Sequence, residues 1–222
     1  MELAPELFGV PLYADRREAG RLLAELVPRE RLAGGAVVGL ARGGVAVAAE
    51  IAVALGLPLD ALAVRKVGHP WQPEYAIGAV APGGGVYVRG SDGLTAEQVA
   101  AAVDDAKRRA DRLDAELHAT LAPVPVSAVP CLLVDDGLAT GATMVAAARW
   151  ARGSGASVVV AAVPVGASSS VRLVAQEVDE VVCPHALDDF FAVGAWYADF
   201  EQVDDETVVR LLADSRQSAT PT

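Results

Sequence analysis

Residues 131–143 read Cys131-Leu132-Leu133-Val134-Asp135-Asp136-Gly137-Leu138-Ala139-Thr140-Gly141-Ala142-Thr143, with two carboxylates directly after an apolar run. A continuously apolar run of this kind is typical of a strand that is buried in a parallel sheet. A helical pattern begins at Met144, after a loop of small residues. The loop is therefore predicted to lie at the carboxyl end of a strand, where ligands bind in open α/β sheets.

The loop from Ala139 to Thr143 has the chemistry of a phosphate cradle. Its residues are small, and backbone N–H groups at a helix N-terminus lack partners within the helix. Each hydrogen bond to a charged group contributes about 1.5–3 kcal/mol, against roughly 0.3–1 kcal/mol from the helix dipole. The loop does not match G-x-x-x-x-G-K-[ST] and has no lysine, which favours a terminal monophosphate over a triphosphate chain.

Asp135 and Asp136 repel a phosphate but suit other groups. Carboxylates accept hydrogen bonds from vicinal hydroxyls, or hold a divalent cation through water. Hydroxyls beside a phosphate describe a ribose 5-phosphate. An ordinary strand, turn and helix with a polar corner is the alternative interpretation.

The stretch resembles the phosphoribosyl-pyrophosphate (PRPP) signature of the type I phosphoribosyltransferases. The resemblance implies that Asp135 and Asp136 contact the ribose hydroxyls beside Mg²⁺. It also implies that the 5-phosphate is bound by the following loop, whose residues are Ala139, Thr140, Gly141, Ala142 and Thr143. Gly137 departs from the pattern, which usually has an aliphatic residue there.

Ala139 stands where the 6-oxopurine branch of that family carries an aspartate. This disfavours a hypoxanthine or guanine acceptor that relies on such a base. The segment is closer to the adenine-type branch, but the sequence leaves the identity of the acceptor open.

The segment Gly39-Leu40-Ala41-Arg42-Gly43-Gly44 is a second corner between a predicted strand and a predicted helix. A guanidinium and free N–H groups suit a pyrophosphate, although a tight turn with a surface arginine is equally consistent. The resemblance implies a pyrophosphate loop here, with Arg42, Gly43 and Gly44 as binding residues.

Arg65 and Lys66 end the next predicted strand, and two solvated cations are the alternative there. The resemblance implies that they meet pyrophosphate, in their own or a neighbouring subunit. Gly68 to Arg89 is predicted as a mobile loop leading into an antiparallel hairpin. Its position matches the family's flexible loop, which closes over PRPP and excludes water.

The segment from Pro184 to Phe200 resembles in position the family's hood over the acceptor base. Its aromatic residues are able to stack on a planar ring, and they are Phe190, Phe191, Trp196 and Tyr197. A small satellite core that anchors the last helix is an equally good interpretation.

The predicted fold class is α/β: a type I phosphoribosyltransferase-like parallel sheet flanked by helices, with a hairpin insert and a small hood. We expect one domain over residues 1–222, with the insert at about 68–122 and the hood at about 184–200. A disordered tail is expected at about 215–222. A long helix is predicted from Thr95 to Leu121, and its apolar stripe indicates core packing or a dimer seam.

Composition narrows the class further. The 222 residues carry a net charge of −11, which argues against nucleic-acid binding. No apolar run approaches the roughly 18–20 residues of a membrane span, and the acidic N-terminus lacks the basic start of a signal peptide. We therefore expect a cytoplasmic protein. Cys131 and Cys183 are read as buried, reduced thiols.

The first functional hypothesis is a Mg²⁺-dependent phosphoribosyltransferase that transfers ribose 5-phosphate from PRPP to a nitrogenous small-molecule acceptor. Asp135 and Asp136 hold the ribose hydroxyls, and Arg42 with Arg65 or Lys66 neutralises the leaving pyrophosphate. A homodimer is expected from the resemblance. The second hypothesis is a PRPP- or nucleotide-binding regulator without transferase activity. The third is a phosphoacceptor receiver domain, in which the cradle and the arginine loop have no role.

Overall fold

The computed structural model describes residues 10–218, in which strands and helices alternate along most of the chain. The strands are β1 (Ala36–Leu40), β2 (Leu59–Leu62), β3 (Arg65–His69), β4 (Gln72–Ala81), β5 (Gly84–Val88), β6 (Pro130–Val134), β7 (Val158–Ala162), β8 (Val165–Ala167), β9 (Glu180–Val182) and β10 (His185–Leu187). The helices are α1 (Arg16–Ala24), α2 (Gly43–Leu55), α3 (Ala96–Leu117), α4 (Ala142–Gly153), α5 (Ser168–Val174) and α6 (Asp205–Ser218).

Five parallel strands form the central sheet in the order β2-β1-β6-β7-β9. Every residue of β1 and β2 is buried, as are the last four residues of β6. Strands that are buried on both faces need helices on both sides of the sheet. The predicted α/β class with a parallel sheet flanked by helices is confirmed.

Successive side chains of these strands point to opposite faces of the sheet and enter two separate cores. On one face Leu133 lies in a buried cluster with Met144 of α4. On the other face Leu132 lies in a cluster with Ile51 of α2 and Leu23 of α1. The strand β6 and the helices beside it are therefore held rigidly where the acidic stretch begins.

The insert is a three-stranded antiparallel sheet, in the order β3-β4-β5. Helix α3 covers it through the buried side chains Val103, Ala106 and Ala110. Leu113 and Leu117 continue the same stripe into the main core. The core interpretation of the stripe is thus confirmed. The prediction of a loop from Gly68 is wrong for its first part, because β3 extends to His69 and pairs with β4. The prediction that Arg65 and Lys66 end the preceding strand is also wrong, because β2 ends at Leu62 and these two residues begin β3.

The predicted hood segment pairs with the body of the protein in two places. Strand β10 lies parallel to β8, and Tyr197 forms an isolated parallel bridge with Tyr13. Helix α6 continues to Ser218, so the prediction of a disordered tail is wrong for residues 215–218. The rest of that tail, residues 219–222, lies outside the described residues. No helix among residues 10–218 is long and apolar enough to cross a membrane.

Candidate active site

The loops that follow β1 and β6 meet at the carboxyl edge of the central sheet. These two strands are neighbours, but the chain leaves β1 towards β2 on one side and leaves β6 towards β7 on the other. This reversal of direction is the topological switch point, the place where open α/β sheets bind ligands. Asp135 and Asp136 follow β6 directly, and the Arg42 corner follows β1.

Two glycines bring the start of α2 against the acidic pair. A Cβ atom at Gly43 would overlap the carboxylate oxygen Oδ2 of Asp136. A Cβ atom at Gly44 would lie 2.8 Å from the Cα of Asp135 and 2.5 Å from the carbonyl oxygen of Val134. Glycine is therefore required by close approach, and the structure places the predicted pyrophosphate corner beside the predicted ribose acids. The peptide bond between Ala41 and Arg42 in this corner is cis.

The two acids differ in their surroundings. The backbone N–H of Asp136 donates to Oδ1 of Asp135 at 2.9 Å. Burial, and then the negative charge of Asp136, raise the pKa of Asp135 well above its usual range. The charged form of Asp135 is thus disfavoured unless hydroxyl donors or positive charge approach it.

The acidic pair fits a magnesium ion that is shared with a substrate. Among the described residues no group of three or more His, Cys, Asp or Glu side chains is able to hold a metal. Magnesium, however, usually keeps several waters and binds through one or two carboxylates together with substrate phosphates. Asp135 and Asp136 supply that number of carboxylates, and a cation would offset the cost of ionising Asp135.

Arg16 is part of the site and was not predicted. Its Nε donates to Oδ2 of Asp136 at 2.8 Å, although the two residues are 120 positions apart in the chain. Arg16 is the first residue of α1, whose N-cap is Asp15. No local pattern links it to Asp136, because the contact depends on how α1 packs beside α2.

The predicted phosphate loop forms the start of α4. Gly141 caps the helix with a φ of 74°, a left-handed conformation that glycine adopts without strain. The hydroxyl of Ser170 donates to the carbonyl oxygen of Ala139 at 2.8 Å and ties the loop to α5. Thr140 is exposed, and the first N–H groups of α4 are directed out of the helix.

The hairpin insert stands next to this loop. Thr140 and Ala142 line a small cleft together with Ile77 and Gly78 of β4 and with Arg89. Arg149 of α4 donates to the carbonyl oxygen of Val86 at 2.9 Å, which fixes β5 on the helix. The insert therefore forms one wall of the candidate phosphate site.

The three predicted cationic side chains, Arg42, Arg65 and Lys66, have different surroundings. Nε of Arg42 lies 3.1 Å from Oδ1 of Asp205, in the first turn of α6. Burial, and then the positive charge of Arg42, lower the pKa of Arg65 from its ordinary value. Lys66 is exposed and lines a groove of about 650 Å³ between β3 and α3, with Arg109. The structure thus pairs Arg42 with Asp205 and sets Lys66 in the groove between β3 and α3.

The hood carries its aromatic residues in different environments. Phe190 stacks on Trp196, with ring centroids 6.3 Å apart and an interplanar angle of 25°. Phe191 is 72% exposed. Tyr197 is buried, and its O–H donates to the carbonyl oxygen of Asp136 at 2.7 Å. Tyr197 therefore anchors the hood to the acidic pair and lies in a small buried cluster with Tyr13 and Val165 rather than with the last helix, while Phe190, Phe191 and Trp196 remain candidates for stacking.

Gly137, the departure from the signature, has a packing reason. A Cβ atom at this position would lie 2.7 Å from Cγ1 of Val193 in the hood. The 3₁₀ helix Val193–Trp196 thus sits directly on the residue that follows the two acids. The absence of a side chain at Gly137 thus leaves room for Val193 of the hood.

Three comparisons with known proteins bear on this site. A family model described as the phosphoribosyl transferase domain matches residues 17–200. Two curated Mycobacterium tuberculosis proteins, from two different strains, have the provisional name phosphoribosyl transferase; each is 43% identical over 208 residues, which cover 90% of this chain and 46% of theirs. The crystal structure of the protein TT1426 from Thermus thermophilus is 37% identical, with a TM-score of 0.78, and the match covers 91% of this chain and 98% of that one.

The fold defines an α/β protein with a candidate ligand site at the switch point of a parallel sheet. The chain belongs to the phosphoribosyl transferase family, whose model spans the acids, both loops and the hood. The resemblance drawn from the signature is confirmed, and a receiver domain is excluded. The chain spans about half the length of the curated relatives that it matches.

Replacing Gly43 by alanine is expected to weaken PRPP binding at least tenfold while the protein stays folded. The added Cβ displaces the Asp136 carboxylate and lies 3.1 Å from Nε of Arg16, but it meets no backbone atom among its nearest contacts. Overpacking of this kind costs about 1–3 kcal/mol, which is enough to move a side chain. Calorimetric titration with PRPP and thermal unfolding measure the two effects.

Gly153→Ala is the matched control, because a Cβ atom there meets nothing within 4 Å. It lies in α4, where alanine is favoured over glycine by about 0.8–1 kcal/mol. Wild-type PRPP binding in Gly43→Ala would show that the glycine is not needed for the placement of Asp136.

Proposed function

We propose that the protein transfers ribose 5-phosphate from PRPP to a nitrogenous, base-like acceptor and releases pyrophosphate, with Mg²⁺ as cofactor. The observation that carries the proposal is the contact of the Gly43–Gly44 corner with Asp135 and Asp136. It sets a turn suited to pyrophosphate, a pair of acids suited to a diol, and a loop suited to a monophosphate around one edge of the sheet. PRPP carries these three groups in the same order.

Each group of residues has one task in this reaction. Asp135 and Asp136 accept hydrogen bonds from the ribose hydroxyls, close to C1, where positive charge develops as the bond to pyrophosphate breaks. The loop from Ala139 to Thr143 holds the 5-phosphate through N–H and hydroxyl donors. Magnesium, when bound with PRPP, supplies charge neutralisation on the phosphate oxygens.

Pyrophosphate departs with the electron pair of the C1–O bond, and the acceptor nitrogen forms the new bond to C1 and then releases its proton. Arg42 and Arg65 are proposed to neutralise the departing pyrophosphate. Lys66, exposed in the neighbouring groove, is proposed to reach the pyrophosphate of its own or a neighbouring subunit. Phe190 and Phe191 in the hood are proposed to contact the acceptor ring.

Family membership supports further parts of the same proposal. We propose one phosphoribosyltransferase domain, a homodimer and a cytoplasmic location. The net charge of −11 supports a small-molecule acceptor rather than a nucleic acid.

A panel of nitrogenous bases with PRPP and Mg²⁺, followed by pyrophosphate release, tests the proposed function. We expect pyrophosphate release with at least one acceptor. This release is expected to be lost when EDTA removes the metal, because the two carboxylates repel the phosphates of PRPP when no cation offsets the charge. Calorimetry with PRPP, with and without Mg²⁺, separates binding from turnover. Binding without turnover over the whole panel would favour the regulatory alternative, and absence of PRPP binding would refute both.

A further inference from the structure

One guanidinium group spans the distance between the acidic pair and the end of the hood. Nε of Arg16 donates to Oδ2 of Asp136 at 2.8 Å, and Nη1 donates to the carbonyl oxygen of Glu201 at 2.8 Å. The guanidinium carbon also lies 3.7 Å from the centroid of the Phe200 ring. Arg16 thus uses two edges for hydrogen bonds and one face for stacking.

The pair of Arg16 and Asp136 is shielded from water. The side chains are 11% and 15% exposed, respectively. An ion pair on the surface contributes little, but a shielded pair is screened less and is held in one geometry. Gly43 leaves room for both partners, because a Cβ atom at this position would overlap Oδ2 of Asp136 and lie 3.1 Å from Nε of Arg16.

This contact gives the two carboxylate oxygens of Asp136 different surroundings. Oδ2 accepts the hydrogen bond from Nε of Arg16, and no such contact is made by Arg16 to Oδ1. The positive charge of Arg16 also offsets part of the negative charge of the acidic pair, which otherwise repels a polyanionic ligand. Arg16 therefore acts on the ligand through Asp136 and does not need to touch it.

We propose that Arg16 is a positioning residue of the active site: it sets the direction of the Asp136 carboxylate and couples it to the hood segment at Phe200 and Glu201. The proposal rests on the proposed function, since the ligand of Asp136 is taken to be the ribose of PRPP. A lysine does not replace this arginine, because an ammonium group lacks the two donor edges and the flat face.

Kinetics of Arg16→Ala and Arg16→Lys test the proposal. We expect both variants to raise the KM for PRPP at least tenfold. The KM of the lysine variant is expected to be at most threefold lower than that of the alanine variant. Guanidinium ion added to Arg16→Ala is expected to restore at least a third of the lost activity, and to restore none in Arg16→Ala/Asp136→Asn. A purely structural role predicts no rescue by guanidinium.

Arg17→Ala is the matched control, because Arg17 is adjacent in α1 but is 71% exposed and pairs with Glu50. It is expected to keep the wild-type KM. Wild-type KM and kcat in Arg16→Ala, or rescue that is independent of Asp136, would overturn the proposal.

A double-mutant cycle on thermal unfolding keeps this proposal separate from the proposed function. Arg16→Ala and Asp136→Asn are expected to be non-additive in unfolding free energy, whether or not the protein binds PRPP. Additive effects would overturn the coupling of Arg16 to Asp136. If the wild type binds no PRPP but the cycle shows coupling, the proposed function fails while the pairing of the two residues stands.

Discussion

Replacing Asp135 and Asp136 together by asparagine is expected to lower PRPP transfer by at least 100-fold and to remove measurable PRPP binding. Each hydrogen bond from a hydroxyl to a carboxylate contributes about 1.5–3 kcal/mol, and the pair offers at least two of them. Asparagine keeps the shape of the side chain but removes the charge, and with it the attraction for a cation-bound ligand. Pyrophosphate release and calorimetric titration with PRPP and Mg²⁺ measure the loss.

The single variants separate the two acids. Asp136→Asn also breaks the ion pair with Arg16, whereas Asp135→Asn removes a buried carboxyl whose charged form is already disfavoured. We therefore expect the Asp136 variant to lower unfolding temperature and the Asp135 variant to leave it unchanged or raise it. Asp111→Asn, on the exposed side of α3, is the control and is expected to retain wild-type transfer. Full PRPP binding in the double variant would contradict the assignment of the ribose site.

Replacing His118 by leucine is expected to lower the free energy of unfolding by about 3 kcal/mol, because it removes one partner of a buried ion pair. Nε2 of His118 lies 3.0 Å from Oδ1 of Asp60, and Nδ1 lies 2.9 Å from the carbonyl oxygen of Asp114. Both partners are acceptors, so the imidazole is satisfied when both nitrogens carry protons. The cluster fastens the end of α3 to β2. Chemical denaturation at pH 7 measures the effect.

The same cluster predicts a pH dependence. Hydrogen bonds to Asp114 and Asp60 raise the pKa of His118 from 6.5 to about 10. A group whose pKa is higher in the folded state stabilises the fold fully below its unfolded pKa and loses that contribution as the pH rises through its folded pKa. Stability is therefore expected to fall between pH 6.5 and about pH 10 in the wild type, and the fall is expected to be smaller in His118→Leu.

Other buried groups act in the same direction and require the variant as a control. Burial raises the pKa of Cys131 from 9.0 to about 12 and that of Tyr13 from 10.0 to about 12. These groups ionise at a lower pH in the unfolded chain than in the folded protein. The fold therefore also loses stability as the pH rises above their unfolded pKa values. Because both remain in His118→Leu, the difference between the two stability profiles isolates the histidine. Identical profiles would show that His118 is not held as a cation.

The loop between β6 and α4 was predictable because its signals are local. An apolar run, two acids, small residues and a helical period lie within about 20 positions, and local patterns of this kind specify strand, loop and helix directly. The same holds for the capped start of α3, where Thr95 and Gln98 exchange hydrogen bonds with each other's backbone N–H groups. The Arg42 corner was located in the same way, but its contact with the acids was not.

The wrong predictions concern segments whose structure depends on contacts with another part of the chain. The segment from Gly68 carries histidine, proline, tryptophan and further glycines, a composition that is typical of loops. In the structure β3 continues to His69 because β4 offers it a hydrogen-bonding partner, with irregular register around Gly68. The helix α6 likewise extends beyond its apolar pattern, into residues that the composition assigned to a tail.

Local patterning in the chain was sufficient for the fold class and for the strand, the acidic pair and the helix of residues 131–153, since these depend on hydrophobic period and turn chemistry within short windows. Three contacts arose only in the folded chain. Arg16 pairs with Asp136, Gly43 lies against the Asp136 carboxylate, and Val193 packs on Gly137. Each joins segments that are far apart in sequence. Such contacts depend on close packing between elements, which no single stretch of sequence encodes.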